Sequence, residues 1–129
     1  MDEKNFRHGA FSWHELLTTD PQKAQDFYTA LFNWDAEPAP MEGEDYTVLK
    51  ADGRQVGGIM PVPPECTGMP PMWGLYVTVD DVDETAARVD ELGGRVLRAP
   101  DDIPGVGRFA VIQDPQGAVL SVITYAHTD

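Results

Sequence analysis

A carboxylate stands inside an apolar run near the start of the chain. Glu15 lies two residues after Trp13 and two before Leu17. Residues two apart share a face of a strand, so Glu15 is expected beside these two apolar side chains. Burying a charge there is costly unless it meets a cation, a metal ion or hydrogen-bond donors. Two interpretations stay open. Glu15 anchors a ligand or acts as a general base with a raised pKa, or it is a core carboxylate bonded to Tyr76 or to an arginine.

A duplicated pattern must position this carboxylate. An apolar strand-like run, an acidic stop and an amphipathic helix occur at residues 13–28 and again at 74–89. Self-similarity at a fixed spacing is a strong guide to architecture. The two copies predict two modules that face each other, and we expect a ligand in the cleft between them.

The first module begins with a predicted strand at 11–18 and a helix. Asp20 is the expected helix cap, and Pro21 takes the first helical position, where its missing N–H costs nothing. Apolar residues then recur at helical spacing, and we assign this face to the core. These residues are Ala24, Phe27, Tyr28, Leu31 and Phe32. Residues 1–9 are expected to be a frayed arm.

Further strands complete each module. The first module is predicted to have a short strand from Trp34, a loop at 41–45 and a hairpin that turns at Asp52-Gly53. The second module repeats the order, with a helix from Asp80 or Asp81 to Leu92. Its loops are expected at 100–107 and 114–117. The remaining predicted strands span 46–50, 55–60, 72–79, 95–98, 108–113 and 118–125.

The predicted fold class is therefore α+β, with two tandem βαβββ modules whose curved mixed sheets surround a shared cleft. We expect a single domain over residues 1–129, with modules at about 10–61 and 72–126. Five prolines mark residues 61–71 as the linker, since proline suits neither a helix interior nor a central strand.

Composition limits the classes of function. The net charge of −13 disfavours nucleic acid and anionic membranes as partners, although it also has a simple explanation in solubility. No apolar run approaches the ~20 residues of a membrane span. Residues 1–10 are polar, so we expect no secretory signal, and the lone Cys66 has no partner for an internal disulfide. These features favour a cytoplasmic protein.

Several motifs carry a resemblance to a known family. The chain resembles the vicinal oxygen chelate superfamily, also called the glyoxalase, bleomycin-resistance and extradiol dioxygenase superfamily, over roughly residues 11–125. The resemblance implies the fold, but this fold hosts isomerases, dioxygenases, thiol transferases, epimerases and binding proteins. The motifs are Asp20-Pro21 through Phe27-Tyr28 with Leu31-Phe32-Asn33-Trp34, Val79-Asp80-Asp81-Val82 with Glu91-Leu92-Gly93-Gly94, and Gln113-Asp114-Pro115-Gln116-Gly117.

The resemblance also provides a test for a metal site. Enzymes of this family hold a divalent metal with His, Gln and Glu side chains from four strands that face the cleft. Carried over by spacing, those positions are Trp13, Gly57, Gly74 and Ser121. These residues lack the imidazole, carboxylate or thiolate groups of such sites, so we expect no metal and no cofactor. His14 is one residue away, and strand alternation turns it to the opposite face.

The same spacing also indicates which residues line the expected site. If Trp13 faces the cleft, Glu15 shares its face, Tyr76 is its counterpart in the second module, and Trp73 points towards a helix. Glu15 is the candidate catalytic residue. The candidate ligand-binding residues are Trp13, Glu15, Tyr46, Gly57, Met60, Gly74, Tyr76, Phe109, Ser121 and Tyr125.

Three functions follow from the resemblance, in order of preference. The first is a metal-independent binding protein that resembles the bleomycin-resistance members and sequesters a small organic molecule in the cleft, with organic cations among the candidate ligands. Those members form homodimers, so we expect one here. The second is a lyase, isomerase or hydroxylase-like enzyme of secondary metabolism with Glu15 as acid or base. The third is a metal-dependent glyoxalase or dioxygenase.

Overall fold

The computed structural model describes residues 7–41, 44–62, 68 and 70–126. These residues form eight strands and two helices, which confirms the α+β class and the duplicated βαβββ order. The central part of the predicted linker, with Cys66, lies outside the described residues. The elements are β1 (Phe11–Thr18), α1 (Pro21–Phe32), β2 (Asp35–Met41), β3 (Glu44–Ala51), β4 (Arg54–Pro61), β5 (Met72–Thr78), α2 (Val82–Glu91), β6 (Arg95–Ile103), β7 (Gly107–Gln113) and β8 (Val119–Tyr125).

The described chain divides into two compact units. The N-terminal unit spans Trp13–Gly74, and the C-terminal unit combines the segment up to Ser12 with the chain from Leu75 onward. Each unit contains one helix and most of four strands. Among the described residues, neither helix is long and apolar enough to cross a lipid bilayer.

The N-terminal unit places its strands in the order β2-β3-β4-β1. β1 runs parallel to β4, and the other neighbours are antiparallel. Its core consists of Leu16, Leu49 and Ile59, and the partly buried Ala24 and Tyr28 of α1 pack against them. Burial of these apolar side chains stabilises the contact between the helix and one face of the sheet.

The cap residues explain where the two helices begin. The Asp20 carboxylate accepts a hydrogen bond from the backbone N–H of Lys23 at 3.1 Å, and Asp81 accepts one from the N–H of Glu84 at 3.2 Å. Each bond satisfies a donor that the first turn of a helix leaves unpaired. α1 ends at Asn33, whose φ of 58° is a left-handed conformation that this residue type tolerates.

The C-terminal unit repeats the arrangement in the order β5-β8-β7-β6. β5 runs parallel to β8, and the remaining pairs are antiparallel. Val82 of α2 packs into a core formed by Val79, Ala110 and Val122. Arg108 holds the same helix from the outside, because its guanidinium donates to both carboxylate oxygens of Asp83, at 2.8 and 3.1 Å.

β2 and β6 both continue well beyond the strands that the sequence predicts. β2 continues through Pro38 and Pro40, which is tolerated because it is the end strand in its unit's sheet order and uses one side for pairing. The loop predicted at 41–45 is correspondingly too long. β6 has nine residues, whereas four were predicted, and its pairing with β7 shifts register twice. β-Bulges of this kind allow two strands to remain paired where one of them has an extra residue.

The core assignment of α1 was wrong for three residues. Phe27, Leu31 and Phe32 are exposed, and none of the twelve residues of α1 is fully buried. The apolar stripe is wider than the contact with the sheet, because residues at helical spacing spread around the helix. Ala24 and Tyr28 face the core, and the neighbouring stripe does not.

The expectation of a frayed arm was also wrong for residues 7–9. The N–H of Gly9 donates to the carbonyl of Thr78 at 2.7 Å, and the N–H of Thr78 donates to the carbonyl of Ala10 at 2.8 Å. The N–H of Asp80 donates to Nδ1 of His8 at 3.0 Å. This segment is therefore an integral part of the C-terminal unit.

Candidate functional site

Strand alternation places Trp13 and Glu15 on the face of the N-terminal sheet that does not contact α1. Leu16 points into the core beneath the helix, so its neighbours in β1 point the other way. The register pairs Glu15 with Gly58 of β4 and Leu17 with Met60. Paired residues of parallel strands share a face, so these side chains lie on one surface, which we call the Glu15 face.

The ring of Tyr46 covers the centre of the Glu15 face. It is buried, and it lies directly over Gly58, where a methyl group would come within 2.6 Å of Cε1 and closer still to the hydroxyl. The indole Nε1 of Trp13 donates a hydrogen bond to the Tyr46 hydroxyl at 2.7 Å. Two aromatic rings are thereby fixed beside Glu15, and only glycine at position 58 leaves room for this arrangement.

The spacing argument selected the wrong glycine of β4. A methyl group at Gly57 would lie 2.7 Å from the carbonyl oxygen and 3.6 Å from Cβ of His14, on the side of β1 opposite Glu15. The cause is a register shift between β3 and β4, where Leu49 pairs with Gly57 but Lys50 pairs with Gln55. The extra residue reverses the alternation, so Gly58 takes the place predicted for Gly57.

Trp73 and Gly74 point to opposite faces of the sheet. The indole N–H of Trp73 donates to the hydroxyl of Tyr28 on α1 at 3.2 Å, which places Trp73 on the helix side of the sheet. Gly74 therefore faces the other way, and a methyl group there would lie 3.7 Å from the carbonyl of Glu15. The N-terminal unit thus brings together five predicted site residues on one surface. They are Trp13, Glu15, Tyr46, Met60 and Gly74.

The residues at the carried-over metal positions do not fit a divalent metal. Trp13, Gly58 and Gly74 of this unit and Ser121 of the other offer no imidazole, carboxylate or thiolate donor. His14 is on the opposite face, with Nδ1 3.0 Å from the carbonyl oxygen of Val56. Within the described ranges, no three His, Cys, Asp or Glu residues form a group that could hold a metal ion.

The C-terminal unit has its own face turned away from its helix. Ala110 and Val122 point into the core beneath α2, so Phe109 and Ser121 point to the other side. Ser121 is paired with Tyr76, and Tyr125 with Gly107. The four predicted site residues of this unit therefore share one surface. They are Tyr76, Phe109, Ser121 and Tyr125.

Sequence reasoning missed Arg98 on this surface. Its guanidinium carbon lies 4.9 Å from the centre of the Phe109 ring, a cation–π geometry, and its Nη2 donates to the Asp101 carboxylate at 3.3 Å. Arg98 is hard to identify from the sequence, because the predicted strand ends at this residue and a loop is predicted to follow. A cation is thus held on an aromatic ring of the C-terminal unit.

Tyr125 is expected to make the C-terminal unit less stable at alkaline pH. Its hydroxyl donates to Oγ of the buried Ser12 at 2.7 Å, and burial raises the pKa of Tyr125 above its usual value of 10.0. The folded state therefore holds this proton more tightly than the unfolded chain. The resulting stabilisation is complete below about pH 10 and is lost as the pH rises through the folded pKa.

The substitution Tyr125→Phe tests this expectation. At neutral pH it should lower the free energy of unfolding by about 0.5–1.5 kcal/mol, because Ser12 loses its partner. The difference between the two proteins should then shrink above pH 10, when urea unfolding is measured across the alkaline range. If the difference in unfolding free energy between the two proteins stays constant above pH 10, Tyr125 is not responsible for the loss of stability at alkaline pH.

Comparison with known proteins reveals clear relatives. A family model described as the Glyoxalase/Bleomycin resistance protein/Dioxygenase superfamily matches residues 10–122. "Putative glyoxylase CFP32" of Mycobacterium tuberculosis is 46% identical over 116 residues, which cover 89% of this chain and 44% of that protein. "Anthracycline biosynthesis protein DnrV" of Streptomyces peucetius is 36% identical over 130 residues, which cover 91% of this chain and 47% of that protein. The chain thus spans less than half the length of these curated relatives.

A solved structure supports the fold. Methylmalonyl-CoA epimerase from Mycobacterium tuberculosis superimposes with a TM-score of 0.63, over 98% of this chain and 94% of that one. The identity is 17%, so this likeness concerns the fold alone.

Proposed function

Because this chain belongs to the glyoxalase/bleomycin resistance protein/dioxygenase superfamily, we propose that it is a metal-independent protein that binds and sequesters a small organic molecule, as the bleomycin-resistance members do. The observation that carries the proposal is the pair of aromatic rings fixed beside a carboxylate, with Tyr46 over Gly58 and bonded to Trp13. Aromatic walls with one charged group favour a flat ligand that carries a cation.

The donor chemistry of the site supports independence from metal. The positions that the family uses for its ligands hold tryptophan, glycine and serine in this chain, and the Tyr46 ring occupies the space above Gly58. Metal analysis of protein purified without chelator should therefore find no stoichiometric transition metal. A stoichiometric ion, with activity restored by that ion after removal, would instead favour the metal-dependent glyoxalase or dioxygenase.

The names of two relatives suggest which ligands to test. Both the DnrV protein and a second Streptomyces relative at 35% identity are named for anthracycline biosynthesis. We therefore choose an anthracycline that carries an amino sugar and its sugar-free aglycone as matched probes for calorimetric titration. The cleft between the modules stays a prediction, and the proposal is based on the Glu15 face of the N-terminal unit.

A Glu15→Gln variant tests the role of the carboxylate. It should bind the amine-bearing probe about tenfold or more weakly, because a hydrogen bond to a charged group is lost. Binding of the aglycone should be unchanged, which makes the aglycone the control for an intact site. Equal affinities of both proteins for both probes would contradict a role for Glu15 in ligand binding.

The second candidate is an enzyme of secondary metabolism that uses Glu15 as acid or base. The two biosynthetic names favour it, as does the placement of Glu15 beside a fixed tyrosine hydroxyl. For an enzyme, Glu15→Gln should keep affinity for the substrate but lose turnover by about 10²–10⁴-fold. Mass analysis of each probe after incubation with the wild-type protein distinguishes the two candidates, since a binding protein returns its ligand unchanged.

A further inference from the structure

A bulge in β6 turns Arg98 towards the face of the C-terminal unit that lies opposite α2. Val96 is paired with Ile112, which packs against the core beneath that helix. Residues two apart share a face of a regular strand, so Arg98 would be expected on the helix side as well. The register shifts between Val96 and Arg98, however, and Arg98 lies over the ring of Phe109. Bulges are enriched next to active sites, where they re-aim a side chain.

Strand pairing places Arg98 at one end of a row of residues that crosses the four strands of the unit. Val111 of β7 is paired with Arg98 on one side and with Ser121 of β8 on the other, and Ser121 is paired with Tyr76 of β5. Neighbouring strands lie about 4.8 Å apart, so the row is about 14 Å long. We call these four residues the Arg98 row. It combines a cation, an apolar floor, a hydroxyl group and an aromatic ring.

The Arg98 row lies where this face of the sheet begins to open to solvent. Along β8, alternate residues share the face, and their burial decreases from the buried Ile123 through the half-buried Ser121 to Val119, which is 49% exposed. Val111 and Tyr76 are half-buried as well. A ligand on the row can therefore contact apolar side chains while its charged group remains at the exposed end, beside Arg98.

The ion pair of Arg98 is suited to exchange with a ligand. Its Nη2 lies 3.3 Å from the Asp101 carboxylate, and the two side chains are 45% and 59% exposed. An ion pair this exposed contributes little to stability, because water screens both charges. Arg108 differs, since its guanidinium binds the carboxylates of both Asp83 and Asp102. A ligand carboxylate that accepts two parallel hydrogen bonds from Arg98 can replace Asp101.

We propose that the Arg98 row binds a flat aromatic carboxylic acid, and that Arg98 determines this specificity. The guanidinium is held over the Phe109 ring and presents the planar fork of donors that matches a carboxylate. The rings of the ligand lie over Val111 and reach the Ser121 hydroxyl, which donates to or accepts from a polar group of the ligand. The proposal concerns the C-terminal unit alone, so it goes beyond the amine-binding role of Glu15 and does not depend on it.

Calorimetric titration with anthraquinone-2-carboxylate and its uncharged primary amide tests this proposal. The wild-type protein should bind the carboxylate about tenfold or more tightly than the amide, because hydrogen bonds to a charged group are the stronger ones. Arg98→Gln should weaken binding of the carboxylate by about tenfold or more and leave binding of the amide nearly unchanged. Raising salt from about 0.05 M to about 0.5 M should weaken binding of the carboxylate to the wild-type protein.

Asp101→Asn distinguishes a ligand-binding arginine from a structural one. The substitution removes the charge that competes for Arg98, and it keeps the side-chain oxygen that accepts a hydrogen bond from the backbone N–H of Asp102. Binding of the carboxylate should become about threefold or more tighter, because a competing anion is lost. If Arg98 served only to pair with Asp101, the substitution would give no gain in affinity.

The matched control is Arg88→Gln, which removes the same charge from an exposed position of α2, on the other side of the sheet. It should bind both probes as the wild-type protein does, and thermal unfolding should show that all three variants fold. Glu15→Gln should leave binding of the carboxylate unchanged, so failure of the proposed amine site and failure of this one appear in different titrations. Equal wild-type affinities for the two probes, equal effects of Arg98→Gln and Arg88→Gln, or no gain from Asp101→Asn would each overturn the proposal.

Discussion

Replacing Gly58 by alanine is expected to lower the free energy of unfolding by about 1–3 kcal/mol, the usual cost of overpacking. The added methyl group would overlap the ring of Tyr46, which lies directly over this glycine. Tyr46 cannot withdraw freely, because its hydroxyl accepts a hydrogen bond from Trp13 and its ring is buried. The same substitution should weaken binding of both anthracycline probes, since it displaces a wall of the proposed site.

Two further substitutions show whether the ring of Tyr46 causes the loss of stability in Gly58→Ala. Gly74→Ala is the control, because its methyl group would make an ordinary contact at 3.7 Å, and its effect should be smaller than about 1 kcal/mol. In a Tyr46→Ala background, Gly58→Ala should become neutral or slightly stabilising, because alanine restricts the unfolded chain more than glycine does. If the effect of Gly58→Ala is the same with and without the Tyr46 ring, the ring is not responsible.

Leu49→Ala is expected to lower the free energy of unfolding by about 2–5 kcal/mol. Leu49 is fully buried and packs with Leu16 and Ile59 beneath α1. Its truncation leaves a cavity that the sheet and helix cannot fill. The three tryptophans, Trp13, Trp34 and Trp73, all belong to the N-terminal unit, so tryptophan fluorescence in urea reports on this unit directly.

Leu97→Ala provides the matched substitution at an exposed site. Leu97 is 46% exposed on β6 of the other unit, so its truncation should cost less than about 1 kcal/mol and leave the tryptophan transition unchanged. Equal losses at both leucines would show that burial in this core does not set the stability of the unit.

The sequence predicts the elements well where local chemistry marks their ends. Asp20 and Pro21 define the start of α1, and the apolar run of β1 needs no tertiary information. Prediction fails where pairing overrides local preference. Only a short strand is predicted from Trp34, yet β2 continues through two prolines because it uses one side for pairing. The second half of β6 reads as a loop, yet bulges keep it paired with β7.

The same contrast holds for the site. Alternation within β1 correctly places Trp13 and Glu15 on one face, because a regular strand has a fixed period. Counting along β4 fails at Gly57, because the register shift at Leu49 depends on the neighbouring strand. The hydrogen bond between Trp13 and Tyr46 joins residues 33 apart, and no local pattern predicts it. Nor can periodicity distinguish the stripe of α1 that packs on its own sheet from the stripe that stays exposed.

The hydrogen bonds of residues 7–12 determine which fragments of this protein can fold. The chain enters the C-terminal unit first, leaves it at Trp13 to build the other unit, and returns at Leu75. A fragment cut at the proline-rich segment would begin without the backbone partners of Thr78 and without the Ser12 acceptor of Tyr125. Expressing the second half alone should therefore give an incomplete fold, whereas adding residues 7–12 as a separate peptide should restore it. During synthesis on the ribosome, residues 7–12 can form these hydrogen bonds only after most of the chain has emerged.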